Sequence, residues 1–104
     1  MERKPLRGKL LPQETGQLSY QIFEADAGLV FPVARRIEEV FGFVAPDAPL
    51  NQLDEIYIEL WQDDLHITVG WDTWNGCFVI GATDAENTLV KAIGEYLETQ
   101  LENM

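Results

Sequence analysis

The stretch 61-WQDDLHITVGWDTWNG-76 holds all three tryptophans of the chain, its single histidine and three of its aspartates within sixteen positions. Such density reads either as a chemical site or as two tight turns of a small sheet, and side-chain parity favours the turns. In EIYIELW (55–61) Ile56, Ile58 and Leu60 share one side of an extended chain, and in LHITVGWD (65–72) Leu65, Ile67, Val69 and Trp71 do. A two-residue turn at Asp63 and Asp64 sets Leu60 opposite Ile67, Ile58 opposite Val69 and Ile56 opposite Trp71. An odd loop length would send one strand's apolar set to the wrong face.

Asn75-Gly76 is the preferred pair for a second two-residue hairpin turn, because both residues accept positive φ. Pairing outward from it predicts Thr73 opposite Phe78, Trp71 opposite Ile80 and Val69 opposite Ala82. The expected core face is Ile58, Leu60, Ile67, Val69, Trp71, Phe78 and Ile80. The opposite face then carries Glu55, Tyr57, Glu59 and Trp61, next His66, Thr68, Gly70 and Asp72, and last Trp74, Cys77, Val79 and Gly81. In this register Tyr57, Gly70 and Gly81 form one row, a shallow trough that Tyr57 folds over, that a partner enters between Tyr57, Trp61 and Trp74, or that the N-terminal segment covers.

Outside the meander, LSYQIFE (18–24) alternates as a half-buried strand, broken at Phe23. LVFPVARRIEEVFGF (29–43) places Val33, Ile37, Val40 and Phe41 on one helical stripe, with Pro32 near the start and Gly42 as a left-handed stop, so a helix runs from about 30 to 41. APDAPLNQLD (45–54) is a connector. Thr83 and Glu86 are spaced as a capping box, and Leu89, Ile93, Tyr96, Leu97 and Leu101 continue the helix behind them. The expected fold is α+β: a two-layer sandwich in β-α-β-β-β-α order, with a mainly antiparallel four-stranded sheet and two helices on one face. Residues 17–104 form the single domain. Residues 1–16 are a basic N-terminal tail or irregular lead-in.

With 46% hydrophobic and 11% aromatic residues, the 104-residue chain has the makings of one core and is far from the composition of disordered segments. Eighteen acidic against seven basic residues give a net charge of −11. Four of the cations fall before residue 10, so the body has three (Arg35, Arg36, Lys91) against seventeen acids, a net of −14. That field repels nucleic acid and anionic membrane surfaces and attracts a cationic partner. The lone Cys77, the lack of an apolar run of roughly 20 residues and the lack of a signal-like apolar segment lead to the expectation of a cytoplasmic protein.

No catalytic constellation and no cofactor motif emerges. Cys77 has no cation or histidine beside it in the expected register, and the Glu55–Asp72 pair sits at a wet sheet end. His66 is the only nitrogen donor a transition metal would find, so no metal site is assigned. The expectation is a small acidic, non-enzymatic protein-binding module that acts on a basic partner like an inhibitor, antitoxin or immunity protein. Its partner-binding residues would be Tyr57, Glu59, Trp61, His66, Asp72 and Trp74. The alternatives are a homodimeric interaction protein and a domain that binds a small ligand or metal near His66.

Overall fold

The computed structural model describes residues 7–101. One antiparallel sheet and two helices make an α+β fold, as expected, but the sheet has six strands in the order β1-β2-β6-β5-β4-β3. The strands are β1 (Gly8–Pro12), β2 (Leu18–Ile22), β3 (Leu50–Gln52), β4 (Glu55–Gln62), β5 (Leu65–Asp72) and β6 (Gly76–Gly81); the helices are α1 (Val30–Phe41) and α2 (Asn87–Gln100).

The two strands beyond the expected four are the outermost ones. β1 falls in the segment read as lead-in, and residues 1–6 of that segment lie outside the described residues. It is held by local pairing with β2, from Gly8 opposite Ile22 to Pro12 opposite Leu18, and by the Glu98 carboxylate of α2, which accepts from Gly8 N at 2.7 Å and Tyr20 Oη at 2.6 Å. β3 is three exposed residues of the connector laid along β4. Both edges are short, and Pro12 and Lys9 mark the β1 edge, which limits pairing with another chain.

β2 does not neighbour the meander's first strand; it pairs antiparallel with the last, Ile22 opposite Cys77 and Tyr20 opposite Val79.

α1 spans the expected residues. Val30, Val33, Ala34 and Ile37 are buried, and Gly42 ends it at φ 76° with its N–H donating to Glu38 O at 3.1 Å. The capping box is present as well: Thr83 N donates to Glu86 Oε1 at 3.1 Å and Ala85 N donates to Thr83 Oγ1 at 3.2 Å. A 3-10 turn, Asp84–Glu86, leads from it into α2. Gly94, a weak point by helix propensity, has a packing reason, since a Cβ there would stand 2.7 Å from Tyr20 Cδ1. Both helices cover the same face of the sheet, where Tyr20, Ile22, Ile56, Ile58, Leu60, Ile67, Val69, Cys77 and Val79 join Val33, Ile37, Val90, Ile93 and Leu97 in one core. At roughly 1.5–3 kcal/mol for each large apolar side chain removed from water, this cluster supplies the main drive to fold.

The first hairpin has the predicted register through all eight pairs, from Glu55 opposite Asp72 to Gln62 opposite Leu65. The second does not. Val69 pairs with Val79, Trp71 with Cys77 and Asp72 with Gly76, so the loop is Thr73-Trp74-Asn75 rather than Asn75-Gly76. The Asp72 carboxylate causes the difference: its Oδ1 accepts from Trp74 N at 2.9 Å and Asn75 N at 2.7 Å, and its Oδ2 accepts from Asn75 Nδ2 at 3.0 Å. These bonds turn the chain directly after Asp72 and leave only Gly76 at positive φ, 68°. The three-residue slip in pairing flips β6. Cys77 and Val79 face the helices with no exposed surface, and Phe78 and Ile80, expected in the core, lie on the outer face.

Candidate functional site: the outer sheet face

With both helices on one side, the other face of the sheet has no described element over it. Register places its residues in rows. Lys9, Gln21, Phe78, Gly70, Tyr57 and Leu50 cross the sheet in one; Leu11, Ser19, Ile80, Thr68 and Glu59 lie in the next. A further row joins His66, Trp61 and Val44, the last through an isolated bridge in which Val44 and Trp61 exchange backbone hydrogen bonds of 2.8 and 2.9 Å. The face is thus apolar at seven positions: Leu11, Val44, Leu50, Tyr57, Trp61, Phe78 and Ile80.

The trough predicted over Tyr57, Gly70 and Gly81 does not exist, because Gly81 belongs to the helix side and Phe78 takes its place in the row. The Tyr57 and Phe78 rings, with centroids 6.1 Å apart, close over Gly70, where a Cβ would meet Phe78 Cζ at 2.5 Å and Tyr57 Cδ1 at 2.8 Å. Aromatic cover of a bare glycine produces a raised apolar ridge.

At one end of the face Glu59, Trp61 and His66 come together; the register of the first hairpin sets Trp61 opposite His66, and Glu59 is the carboxylate that reaches the imidazole. The indole and imidazole stack with centroids 3.9 Å apart and planes 4° apart. Glu59 Oε1 is 2.9 Å from His66 Nε2 and also accepts from Thr68 Oγ1, whose role the sequence reading missed. Behind the ring, the His66 backbone N–H donates to Glu86 Oε2 at 3.0 Å. Burial opposes ionisation of Glu86, yet the N–H groups of His66 and Thr83 and the Thr83 hydroxyl outweigh it and hold the carboxyl below its ordinary value.

Asp72 and Trp74, the other two predicted contact residues, are elsewhere. Asp72 is engaged in its turn. Trp74 is at the tip beyond it, 83% exposed, six β5 residues from the level of His66 and so about 20 Å from the Trp61 stack. Trp61 and Trp74 therefore border no common trough. Tyr57 lies between, its hydroxyl donating to Glu55 Oε2 at 3.0 Å; burial, that bond and the neighbouring carboxylates raise its pKa.

The chemistry available here is contact rather than reaction. Cys77, placed by sequence on the outer face, is on the helix side, and burial pushes its thiol up to about 12, far from a nucleophile's range. Among the described residues no three His, Cys, Asp or Glu side chains converge as a metal site, around His66 or elsewhere. No described helix is long and apolar enough to cross a membrane. The charged groups of the face are Glu55, Glu59 and Asp72 against Lys9. Phe78, Ile80, Leu11, Val44 and Leu50 are the face residues that sequence reasoning missed; only the β6 parity, once corrected, would have found the first two. Comparison with protein-family models, with curated proteins and with solved structures finds no match for this chain.

Proposed function

We propose that this chain is a non-enzymatic protein-binding module whose uncovered sheet face docks a basic partner, in the manner of an inhibitor, antitoxin or immunity protein. One observation carries the reading: a half-buried apolar ridge of Tyr57, Phe78 and Ile80, flanked by the Trp61–His66 stack and by exposed Leu50 and Val44, lies on a face that no described element covers, in a body of charge −14. Exposed apolar patches of this kind mark contact surfaces, and aromatic side chains dominate the energetics of such contacts. Glu55, Glu59 and Asp72 around the ridge select a partner rich in lysine and arginine and speed its approach. A homodimer through the same face would oppose these carboxylates to their own copies, so charge disfavours it.

Affinity capture from the source lysate at low and high salt, with the bound protein identified, tests the proposal. A basic protein retained at low salt, released at high salt and lost with Phe78→Ser or Tyr57→Ser is the expected result. Salt-independent capture, or capture indifferent to both substitutions, removes the proposal, and a concentration-dependent dimer in sedimentation replaces it with self-association.

A further inference from the structure

We infer that the end of the sheet carrying Trp74 is a docking surface in its own right, fitted to a partner segment that presents apolar side chains among lysines or arginines. The inference rests on the proposal above that the partner is basic, but not on the open face being where it sits.

At this end β2 stops at Ile22, β6 starts at Gly76, β5 stops at Asp72, β4 starts at Glu55 and β3 stops at Gln52. Three connections meet here, and each exposes one large apolar side chain: Phe23 at 44%, Trp74 at 83% and Leu53 at 101%. They are neighbours by register. A Cβ on Gly76 would lie 2.4 Å from Ile22 O and 3.3 Å from Phe23 Cα, so the Trp74 loop abuts the Phe23 segment. Glu55 pairs with Asp72, which sets the Leu53 turn next along. Four inter-strand steps separate β2 from β3, so the three side chains are strung over about 20 Å.

The opposite end of the sheet is the control that the molecule itself provides. Its turns Gln13–Gln17, Asp63–Asp64 and Ala82–Glu86 expose no large apolar side chain, and the two exposed beside them, Val44 at 61% and Trp61 at 38%, are tied to each other by a backbone bridge, with the indole stacked on His66. Carboxylates are common to both ends, so the acidic character alone marks neither. What distinguishes the Trp74 end is apolar surface that the fold leaves unused, since neither Trp74 nor Phe23 enters an aromatic contact. Charge then selects the occupant. Glu24, Asp26 and Asp54 are exposed beside these side chains and Glu55 and Asp72 are half-buried, against Arg7, which precedes β1 level with Phe23, and Lys9 on β1, so the described residues of this end carry five acids to two cations. Phe31, another exposed aromatic, lines a shallow groove with Arg35 and Arg36 and belongs to a cationic patch instead. A second copy of this chain would bring carboxylate against carboxylate, whereas a cationic amphipathic segment satisfies both features at once.

The test is amide and indole NMR titration of the full chain with three synthetic 14-residue peptides: lysine–leucine, glutamate–leucine and lysine–serine. The lysine–leucine peptide is expected to shift Phe23, Leu53, Trp74 and its indole N–H at least fivefold more than the other two do, with affinity falling as salt rises. Trp74→Ala and Leu53→Ser are each expected to weaken it at least fivefold. Val40→Ser, which removes a side chain 51% exposed on α1, is expected to leave it unchanged. Melting curves check that every variant is folded. Equal binding of the glutamate peptide overturns the inference. So do shifts confined to Tyr57, Thr68 and Phe78, which would leave the open-face proposal standing, and absence of binding by every peptide, which would count against both. The inference fails as well if removal of residues 1–6 alone moves the three resonances, or if Trp74→Ala abolishes a concentration-dependent dimer.

Discussion

Strand β5 is closed at its two ends by turns that obey different rules. The Asp63–Asp64 turn is two residues long, flanked by side chains whose alternation allows only an even length, and Asp63 tolerates φ 53° because aspartate can visit the left-handed region. Its surroundings reinforce it: Gln62 Nε2 donates to Phe41 O at 2.7 Å, and Glu86 receives the His66 N–H. At the other end, three residues intervene, a carboxylate organises them, and the sole glycine at the positive-φ position touches the neighbouring strand's backbone. The difference shows that local turn propensity is decisive only when the strand parity behind it is fixed. At Asn75-Gly76 the Asp72 carboxylate and the pairing of β6 with β2 outrank the two-residue preference.

Gly76→Ala is the sharpest way to break this comparison. The substitution imposes a left-handed L-residue and drives a Cβ to 2.4 Å from Ile22 O, a backbone atom that cannot swing aside. A loss of about 3 kcal/mol in urea unfolding is expected, from roughly 1–2 kcal/mol of conformational strain plus displacement of a strand pair. The mirror experiment, Asp63→Gly, relieves strain and adds unfolded-state entropy, two effects of about 0.5–1 kcal/mol that nearly cancel. If both substitutions change stability equally little, the β2–β6 contact does not pin the second hairpin.

What could be read from the sequence follows the same division. β4, β5, α1, the capping box and the pairing of Trp61 with His66 all rest on patterns within one element or across one short turn. The rest depends on contacts between distant residues. β1 has adjacent leucines at 10 and 11 rather than alternation, and its place comes from β2 and from Glu98, 90 residues away from Gly8. β3 is exposed and carries no pattern. Phe78 and Ile80 looked like core because they are bulky and alternate, but Cys77 and Val79 alternate equally well, and parity could not choose between the sets once the loop length was open. Gly70 held a usable signal: a glycine in a central strand asks for a ring to cover it, and Phe78 opposite it is the partner of suitable size.

At the Asp63 end, Glu86 offers a smaller and pH-resolved test. Its carboxyl is held below the ordinary value by hydrogen bonds that outweigh burial, so the unfolded chain takes up the proton before the folded one does. The stabilisation is therefore complete above the ordinary glutamate range, and it is lost as pH falls from that range through the lower folded value. Glu86→Gln is expected to cost about 1–2 kcal/mol at pH 7 and to flatten the difference in melting temperature from the unsubstituted chain as pH drops toward 3. Other acids titrate in the same window, so the reading is the difference between the two chains. A gap that stays constant from pH 7 to 3 would mean that charge on Glu86 does not clamp this end.

A substitution expected to leave stability almost unchanged is also the most informative about purpose. Trp71 and Trp74 are three residues apart, one on β5 just before the turn that Asp72 organises and one at the tip of that turn. Trp71 Nε1 donates to Ala25 O at 2.8 Å and its ring packs on the core, whereas Trp74 is 83% exposed and only its backbone N–H serves the turn. Trp74→Ala keeps that N–H, so unfolding free energy is expected to change by no more than about 0.5 kcal/mol. A loss above about 1.5 kcal/mol would mean that the indole packs against the molecule and that its exposure is only apparent. A neutral result leaves the largest side chain in the genetic alphabet at a loop tip with no part in folding, and the contribution it makes must then be sought in what the protein touches.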